Sequence, residues 1–268
     1  MSVSHPNGPT PYLTAFILGA LVGTLGGLIG LGGAEFRLPL LIGVFGFGAL
    51  EAVILNKAMS LVVVTFALPF RAGTVPLSDM AAYWPVVANL LAGSLFGAWV
   101  GAGWATRMKR ERLHRVIAGL LVVIAVVLVF GHEHAVGRPM FEGIVQALLG
   151  VLAGFAIGIV ASLLGVAGGE LLIPTLILLF GADIKLAGSL SLAVSLPTML
   201  VGFARYSQDS SFGILGRHAR FLIAMALGSI SGTYVGGQLL GIVPTFYLLP
   251  LLSAIMFISA VKVWRHAD

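Results

Sequence analysis

The sequence of 268 residues is 59% hydrophobic and only 9% charged, with a mean hydropathy of +1.06. A soluble core of this size would need more surface charge, so the composition excludes a soluble protein and predicts an all-α membrane protein with several spans. The net charge of +5 comes from basic residues that lie between apolar runs without forming a stripe, which argues against nucleic-acid binding.

The apolar runs divide the chain into ten predicted helical segments. They lie at 12–30, 36–50, 53–70, 81–104 and 112–130, and then at 142–163, 170–182, 186–204, 217–239 and 245–263. The segments at 36–50 and 170–182 are short for a span of roughly 20 residues and follow glycine clusters, which predicts half-helices or re-entrant pieces. The first apolar run is predicted to be retained, because residues 1–13 lack the basic start of a signal peptide.

Two homologous halves are visible when the chain is shifted by 135 residues. This shift places Gly19, Gly23, Gly30, Gly33, Glu35 and Pro39 on Gly154, Gly158, Gly165, Gly168, Glu170 and Pro174. The same shift places "GSLFGAWVG" at 93–101 on "GSISGTYVG" at 228–236, whereas "NKAMSLVV" at 56–63 matches "AGSLSLAV" at 187–194 with a shift of 131. We therefore predict a tail at 1–11, a first repeat at 12–130, a connecting loop at 131–141, a second repeat at 142–263 and a tail at 264–268.

Five segments in each repeat would turn the second repeat upside down in the membrane. The most basic loop, at 106–115, should be cytoplasmic, whereas its counterpart at 241–246 carries no charge and should lie outside. This orientation places both termini in the cytoplasm, with the protein in the inner (plasma) membrane.

Inverted repeats interrupted by glycine and proline at matching positions are typical of secondary transporters, whose site lies between the repeats near the bilayer midplane. Two stretches carry a family resemblance: "GTLGGLIGLGGAEFRLPLL" and "GIVASLLGVAGGELLIPTL". Together they resemble the twice-occurring glycine-rich signature of the TauE/SafE sulfite exporter family. The resemblance implies a transporter of small sulfur-containing anions such as sulfite, thiosulfate or sulfonates. The chain departs from that signature in having glutamate directly after each glycine cluster.

Glu35 and Glu170 are the first candidate site residues, because a charge buried in the membrane is usually paired, protonated or used. We hypothesise that both are protonatable and couple transport to protons, with Arg37 as a partner or an anion contact. The alternative is that each glutamate caps the start of a helix. Backbone amides beside them could hold an anion without a charged side chain, and these belong to Gly32, Gly33, Ala34, Gly168 and Gly169.

The third segment of each half supplies further candidates that could hydrogen-bond an oxyanion. These are Asn56, Lys57, Ser60, Ser189, Ser191 and Ser195. The alternatives are that the small polar residues serve helix packing and that Lys57 extends to the membrane interface. Arg205 and Tyr206, at the end of the eighth segment, could attract anions, but we assign them to a solvated cytoplasmic loop. The glycines at 93, 97, 101 and their counterparts are assigned to close helix contacts.

Other functions have less support in the sequence. All six histidines fall in termini, loops or segment edges, which argues against an intramembrane Ser/His protease, and we predict no enzymatic activity and no cofactor or metal. An anion channel remains open, as does a carrier of another small solute or of a cation bound by the two glutamates. The expected partners are a small anion, protons and the lipid bilayer.

Overall fold

The computed structural model describes residues 9–29, 33–72, 77–130 and 139–239, together with positions 257 and 261. This part of the chain is helical and has no strand, as the composition predicts. Its helices are α1 (Pro9–Ile29), α2 (Ala34–Gly43), α3 (Ala49–Ala72), α4 (Leu77–Ala82), α5 (Trp84–Arg107), α6 (Arg110–Phe130), α7 (Gly143–Leu164), α8 (Gly169–Phe180), α9 (Ile184–Tyr206), α10 (Ile214–Arg217) and α11 (Ala219–Leu239), with a 3₁₀ turn at Ser210–Gly213.

Two predicted segments need correction. The segment predicted at 36–50 ends at Gly43, because the carbonyl of Leu40 accepts hydrogen bonds from the amides of both Val44 and Phe45, and the turn then continues through Gly46 at φ 72°. The segment predicted at 81–104 is divided at Tyr83 into α4 and α5, and Pro85, which has no N–H to donate, lies in the first turn of α5. Apart from positions 257 and 261, the segment predicted at 245–263 lies outside the described residues.

Five of the described helices, α3, α5, α7, α9 and α11, are long and apolar enough to cross a membrane, so the protein is a multi-pass membrane protein. Helices α2 and α8 have 10 and 12 residues. At about 1.5 Å per residue, helices of this length cannot cross a hydrocarbon core of about 30 Å on their own. The repeat boundaries and the orientation of the termini stay predictions.

The two halves interlock through two long helix pairs, in which α1 packs along α11 and α5 packs along α7. Each pair joins the first segment of one half to the fourth segment of the other. Glycines line both contacts, and a Cβ added to any of them would meet the backbone of the partner helix; they include Gly19, Gly23, Gly93, Gly97, Gly101, Gly154, Gly158, Gly228 and Gly232. The prediction of close glycine contacts is confirmed for Gly93, Gly97, Gly101, Gly228 and Gly232.

Helices α3 and α9 connect the two long pairs. Each is the third segment of its half, and they contact each other; α3 also contacts α2 and α11, while α9 contacts α8 and α5. The short helices α2 and α8 therefore each lie beside a long helix that carries the polar residues predicted from the sequence.

Candidate functional site

Helices α2 and α8 begin in the same way. Gly33 and Gly168, the residues before them, have φ of 70° and 81°, a left-handed conformation that glycine adopts without the steric cost of a side chain. Neither helix start has a side-chain cap. The first amides of an α-helix have no acceptor within the helix, so both starts present N–H groups to the protein interior. Gly33, Ala34, Gly168 and Gly169 are buried, whereas Gly32 lies outside the described residues.

Glu35 and Glu170 follow these starts and approach each other in the protein interior. Both side chains are buried, and their carboxyl groups lie close enough to influence each other electrostatically. No hydrogen-bond donor of the described residues pairs with any of their four carboxyl oxygens. Neither glutamate has a side-chain capping hydrogen bond, and each lies in the first turn of its helix, where the helix dipole favours negative charge.

Arg37, on α2, is fully buried and makes all of its hydrogen bonds within the described residues to neutral groups. Its Nε donates to Asn56 Oδ1 at 3.1 Å, and its two terminal nitrogens donate to Ser229 Oγ at 3.3 Å and Ser60 Oγ at 3.4 Å. Arg37 is close enough to Glu35 to attract it electrostatically, but the two form no ion pair within 4.0 Å. A buried guanidinium held by neutral partners is a natural contact for an anion.

Asn56 connects Arg37 to both helix starts. Its Nδ2 donates to the carbonyl of Ala34 at 3.0 Å and to the carbonyl of Leu164 at 3.2 Å. Leu164 is the last residue of α7 and lies just before the second glycine cluster. Ser60, one turn further along α3, donates to the carbonyl of Asn56 at 2.7 Å and also lies 3.4 Å from the carbonyl of Gly165. One face of α3 therefore binds the glycine-rich turns of both halves.

Lys57, also on α3, contacts α7 instead of the residues that surround Arg37. Its side chain is fully buried, and its Nζ donates to Ser162 Oγ of α7 at 3.3 Å. The structure therefore does not support extension of Lys57 to the membrane interface.

The serines predicted on α9 are all buried. Ser191 donates to the carbonyl of Gly188 at 2.8 Å, and Ser195 donates to the carbonyl of Ala167 at 2.7 Å, in the turn that precedes α8. Ser189 is buried on the same helix. Ser195 thus holds the second glycine turn much as Asn56 holds the first.

Sequence reasoning missed several polar residues of this region. Ser229 was not selected, although it and Ser94 occupy the same position in the two glycine-rich repeats, which is a visible signal. Tyr206 was placed in a solvated loop, and that is wrong: it is fully buried, and its hydroxyl donates to the carbonyl of Ser162 at 2.9 Å. Arg205 is less buried and lies over the ring of Trp99.

The acidic and basic side chains buried in the described part of the chain have no oppositely charged partner within 4.0 Å. They are Glu35, Arg37, Lys57 and Glu170. Arg217 and Glu51 form a pair of opposite charges 3.5 Å apart, and both of those side chains reach solvent. His114 lies on α6 and bonds to the carbonyl of Arg110 within its own helix.

Comparison with known proteins gives two matches over most of the chain. The family model for the sulfite exporter TauE/SafE matches residues 15–263. A relative in Bacillus subtilis (strain 168), described as the probable membrane transporter protein YunE, is 23% identical over 257 residues, which cover 85% of this chain and 86% of the relative. No solved structure matches.

Proposed function

The chain belongs to the sulfite exporter TauE/SafE family, and we propose that it is a secondary transporter of a small anion, a sulfur oxyanion or an organosulfonate. The family description and the name of the relative both support a membrane transporter. In this proposal the chain forms two inverted repeats of five segments each in the inner membrane, with both termini in the cytoplasm.

The observation that carries the proposal is the environment of Arg37. Its guanidinium is 0% exposed, and all its hydrogen bonds within the described residues go to uncharged groups of Asn56, Ser60 and Ser229. A basic side chain at the centre of a membrane helix costs about 2.5–3.5 kcal/mol on insertion scales, so such residues are usually paired or used. A substrate anion would supply the missing negative charge. Arginine has five N–H donors in a planar fork, which suits the oxygens of a sulfite or sulfonate group.

The glutamate pair supplies a means of coupling to protons. Two carboxylates that face each other in a buried site repel one another, and a shared proton relieves this repulsion. With both glutamates protonated, Arg37 and Lys57 leave this part of the interior positive, which favours an anion. With both glutamates ionised, the four charges cancel. Protonation and anion binding therefore strengthen each other, and this linkage is reciprocal.

The test is a flux measurement on purified protein in liposomes. Radiolabelled sulfite, thiosulfate and an organosulfonate are offered outside, with acetate as the control anion and with an acidic or a neutral external pH. We expect saturable uptake of a sulfur anion that is faster with an inward proton gradient, together with alkalinisation of the medium. Empty liposomes provide the baseline.

Other results would change the assignment. Flux that stays proportional to concentration and ignores the proton gradient would indicate an anion channel. Transport of a cation, lost when Glu35 and Glu170 are replaced by glutamine, would show that the glutamates bind the substrate directly. Absence of any sulfur-anion flux under all conditions would reject the proposed substrate class.

A further inference from the structure

We propose that Lys57 forms a second anion-binding site, separate from Arg37, which the substrate occupies at another stage of its passage through the protein. This inference rests on the proposed function, because it assigns the same anion to a second group of residues. The site lies between α3, α7 and α9, whereas Arg37 lies between α2, α3 and α11.

The two cations are held on different faces of α3. Asn56 and Ser60 are one turn apart, which places them on one face, and both accept a hydrogen bond from Arg37. Lys57 is rotated from Asn56 by about 100° around the helix. Its ammonium group reaches Ser162 of α7 at 3.3 Å. In this proposal, passage between the two cations takes the anion around α3.

The ammonium group of Lys57 has unused binding capacity. An ammonium carries three N–H donors and no acceptor. Within the described residues, Lys57 makes one hydrogen bond, to the hydroxyl of Ser162, and no ion pair. Since the side chain is 0% exposed, its remaining N–H groups and its charge lack the protein partner that burial normally requires. An oxyanion would supply both the acceptors and the countercharge.

A structural role at the end of α7 does not account for Lys57. A cation near a helix C-terminus can satisfy the last carbonyl groups and the helix dipole. The carbonyls at this end already have other donors, namely Tyr206 for Ser162, Asn56 for Leu164 and Ser60 for Gly165. Lys57 donates to a hydroxyl instead, so these carbonyls do not depend on it.

Gly202 keeps room for the ammonium group. A Cβ built on this α9 residue would lie 2.7 Å from Lys57 Nζ and 2.8 Å from Ser162 Oγ. Any larger residue at this position would therefore move the ammonium group or the hydroxyl. Tyr206, one turn along α9, fixes the same end of α7 through its hydroxyl. The contact between Lys57 and Ser162 therefore depends on the absence of a side chain at 202.

The experiment compares four variants with the wild type in the liposome assay. Lys57→Gln removes the charge, Lys57→Arg keeps it, Gly202→Ala crowds it, and Lys109→Gln removes an exposed lysine between α5 and α6 as the matched control. The half-saturating sulfite concentration and the anion-free unfolding temperature are measured for each. We expect the half-saturating concentration to rise at least tenfold in Lys57→Gln and severalfold in Gly202→Ala. Lys57→Arg should stay closer to the wild type.

The unfolding temperature separates binding from structure. Removal of an unpaired buried charge should leave the anion-free unfolding temperature unchanged or higher, whereas loss of a structural charge should lower it. The proposal is overturned if Lys57→Gln keeps the wild-type half-saturating concentration, or if Lys57→Gln and Lys57→Arg lose stability and affinity equally. A higher half-saturating concentration in Lys57→Gln, with Arg37 intact and an unfolding temperature that is unchanged or higher, supports the second site. A wild type without saturable sulfite uptake would reject the proposed function itself, and this inference with it.

Discussion

The two halves share a backbone design but carry different side chains at its centre. Each short helix starts after a left-handed glycine and places a glutamate in its first turn, and these glutamates meet. Two residues later the halves differ: α2 has Arg37, whereas the equivalent residue of α8 is Leu172, buried in an apolar cluster with Leu90 and Leu176.

The same difference continues on the long helices. At the positions equivalent to Asn56 and Lys57, the second half has Ala187 and Gly188. Ser229, which binds Arg37, corresponds to Ser94, which pairs with Thr198 at 2.7 Å. The repeated part of the sequence thus builds the scaffold, and the buried positive charges belong to the first half alone within the described residues. We infer that substrate chemistry depends on this asymmetry.

The strongest test makes the first half resemble the second. Arg37→Leu should reduce sulfite uptake into liposomes by about a hundredfold, because loss of one member of a buried charged contact costs about 2–5 kcal/mol. The matched control is Leu172→Met, which preserves the apolar volume and should transport normally. Uptake by Arg37→Leu within threefold of the wild type would show that the two positions are functionally equivalent.

Asn56 should contribute to the stability of the first half through hydrogen bonds that its counterpart in the second half, Ala187, cannot make. Asn56→Ala leaves the carbonyls of Ala34 and Leu164 without this donor, and unsatisfied buried groups cost about 1–3 kcal/mol each. We expect a lower unfolding temperature in detergent. Asn89→Ala provides the comparison, because Asn89 donates to the carbonyl of Ala147 alone at 2.9 Å. A loss no larger than that of Asn89→Ala would mean that the Asn56 bonds do not hold the two turns together.

The pH dependence of transport tests the glutamate pair, which is the part of the site that both halves share. In the wild type, the half-saturating sulfite concentration should rise with pH, by up to about tenfold per pH unit where one proton is linked to binding. The sign follows from the charges, since the protonated pair leaves the interior positive. Glu35→Gln and Glu170→Gln should each flatten this dependence, while Glu111→Gln, at an exposed position, should preserve it. If both buried variants keep the wild-type pH profile, proton coupling through this pair is rejected.

The smallest effect is expected at the equivalent serines. Ser229→Ala removes a hydrogen bond to Arg37 and should raise the half-saturating sulfite concentration about threefold, consistent with a bond worth about 0.5–1.5 kcal/mol. Ser94→Ala removes the bond to Thr198 and should lower the unfolding temperature slightly with normal transport. Equal effects of the two substitutions on transport would contradict the functional asymmetry of the halves.

Much of the fold could be predicted because lipid imposes a strong constraint on sequence. Apolar runs located most helices of the described part, since a helix in lipid must satisfy its backbone internally. The end of α2 was predicted too late, because the residues after Gly43 stay apolar while Leu40 and Gly46 already form a turn. Apolar composition does not distinguish a helix from a buried turn.

The candidate site was predicted in part for the same reason. Internal repetition identified Glu35 and Glu170 as equivalent, and their position after glycine clusters marked both as unusual. It could not show that the two carboxyl groups meet. The burial of Tyr206 was also missed, because its partner Ser162 is 44 residues away and on another helix.

By itself the sequence determined a helical membrane protein with two related halves, because hydropathy and glycine spacing are local properties that a chain carries into any environment. Only the tertiary structure decided which polar groups share a site. Arg37 meets Ser229 across 192 residues, and Lys57 meets Ser162 across 105. Such contacts depend on how the helices cross and which face each one turns inward, and these are set by the packing of the whole bundle.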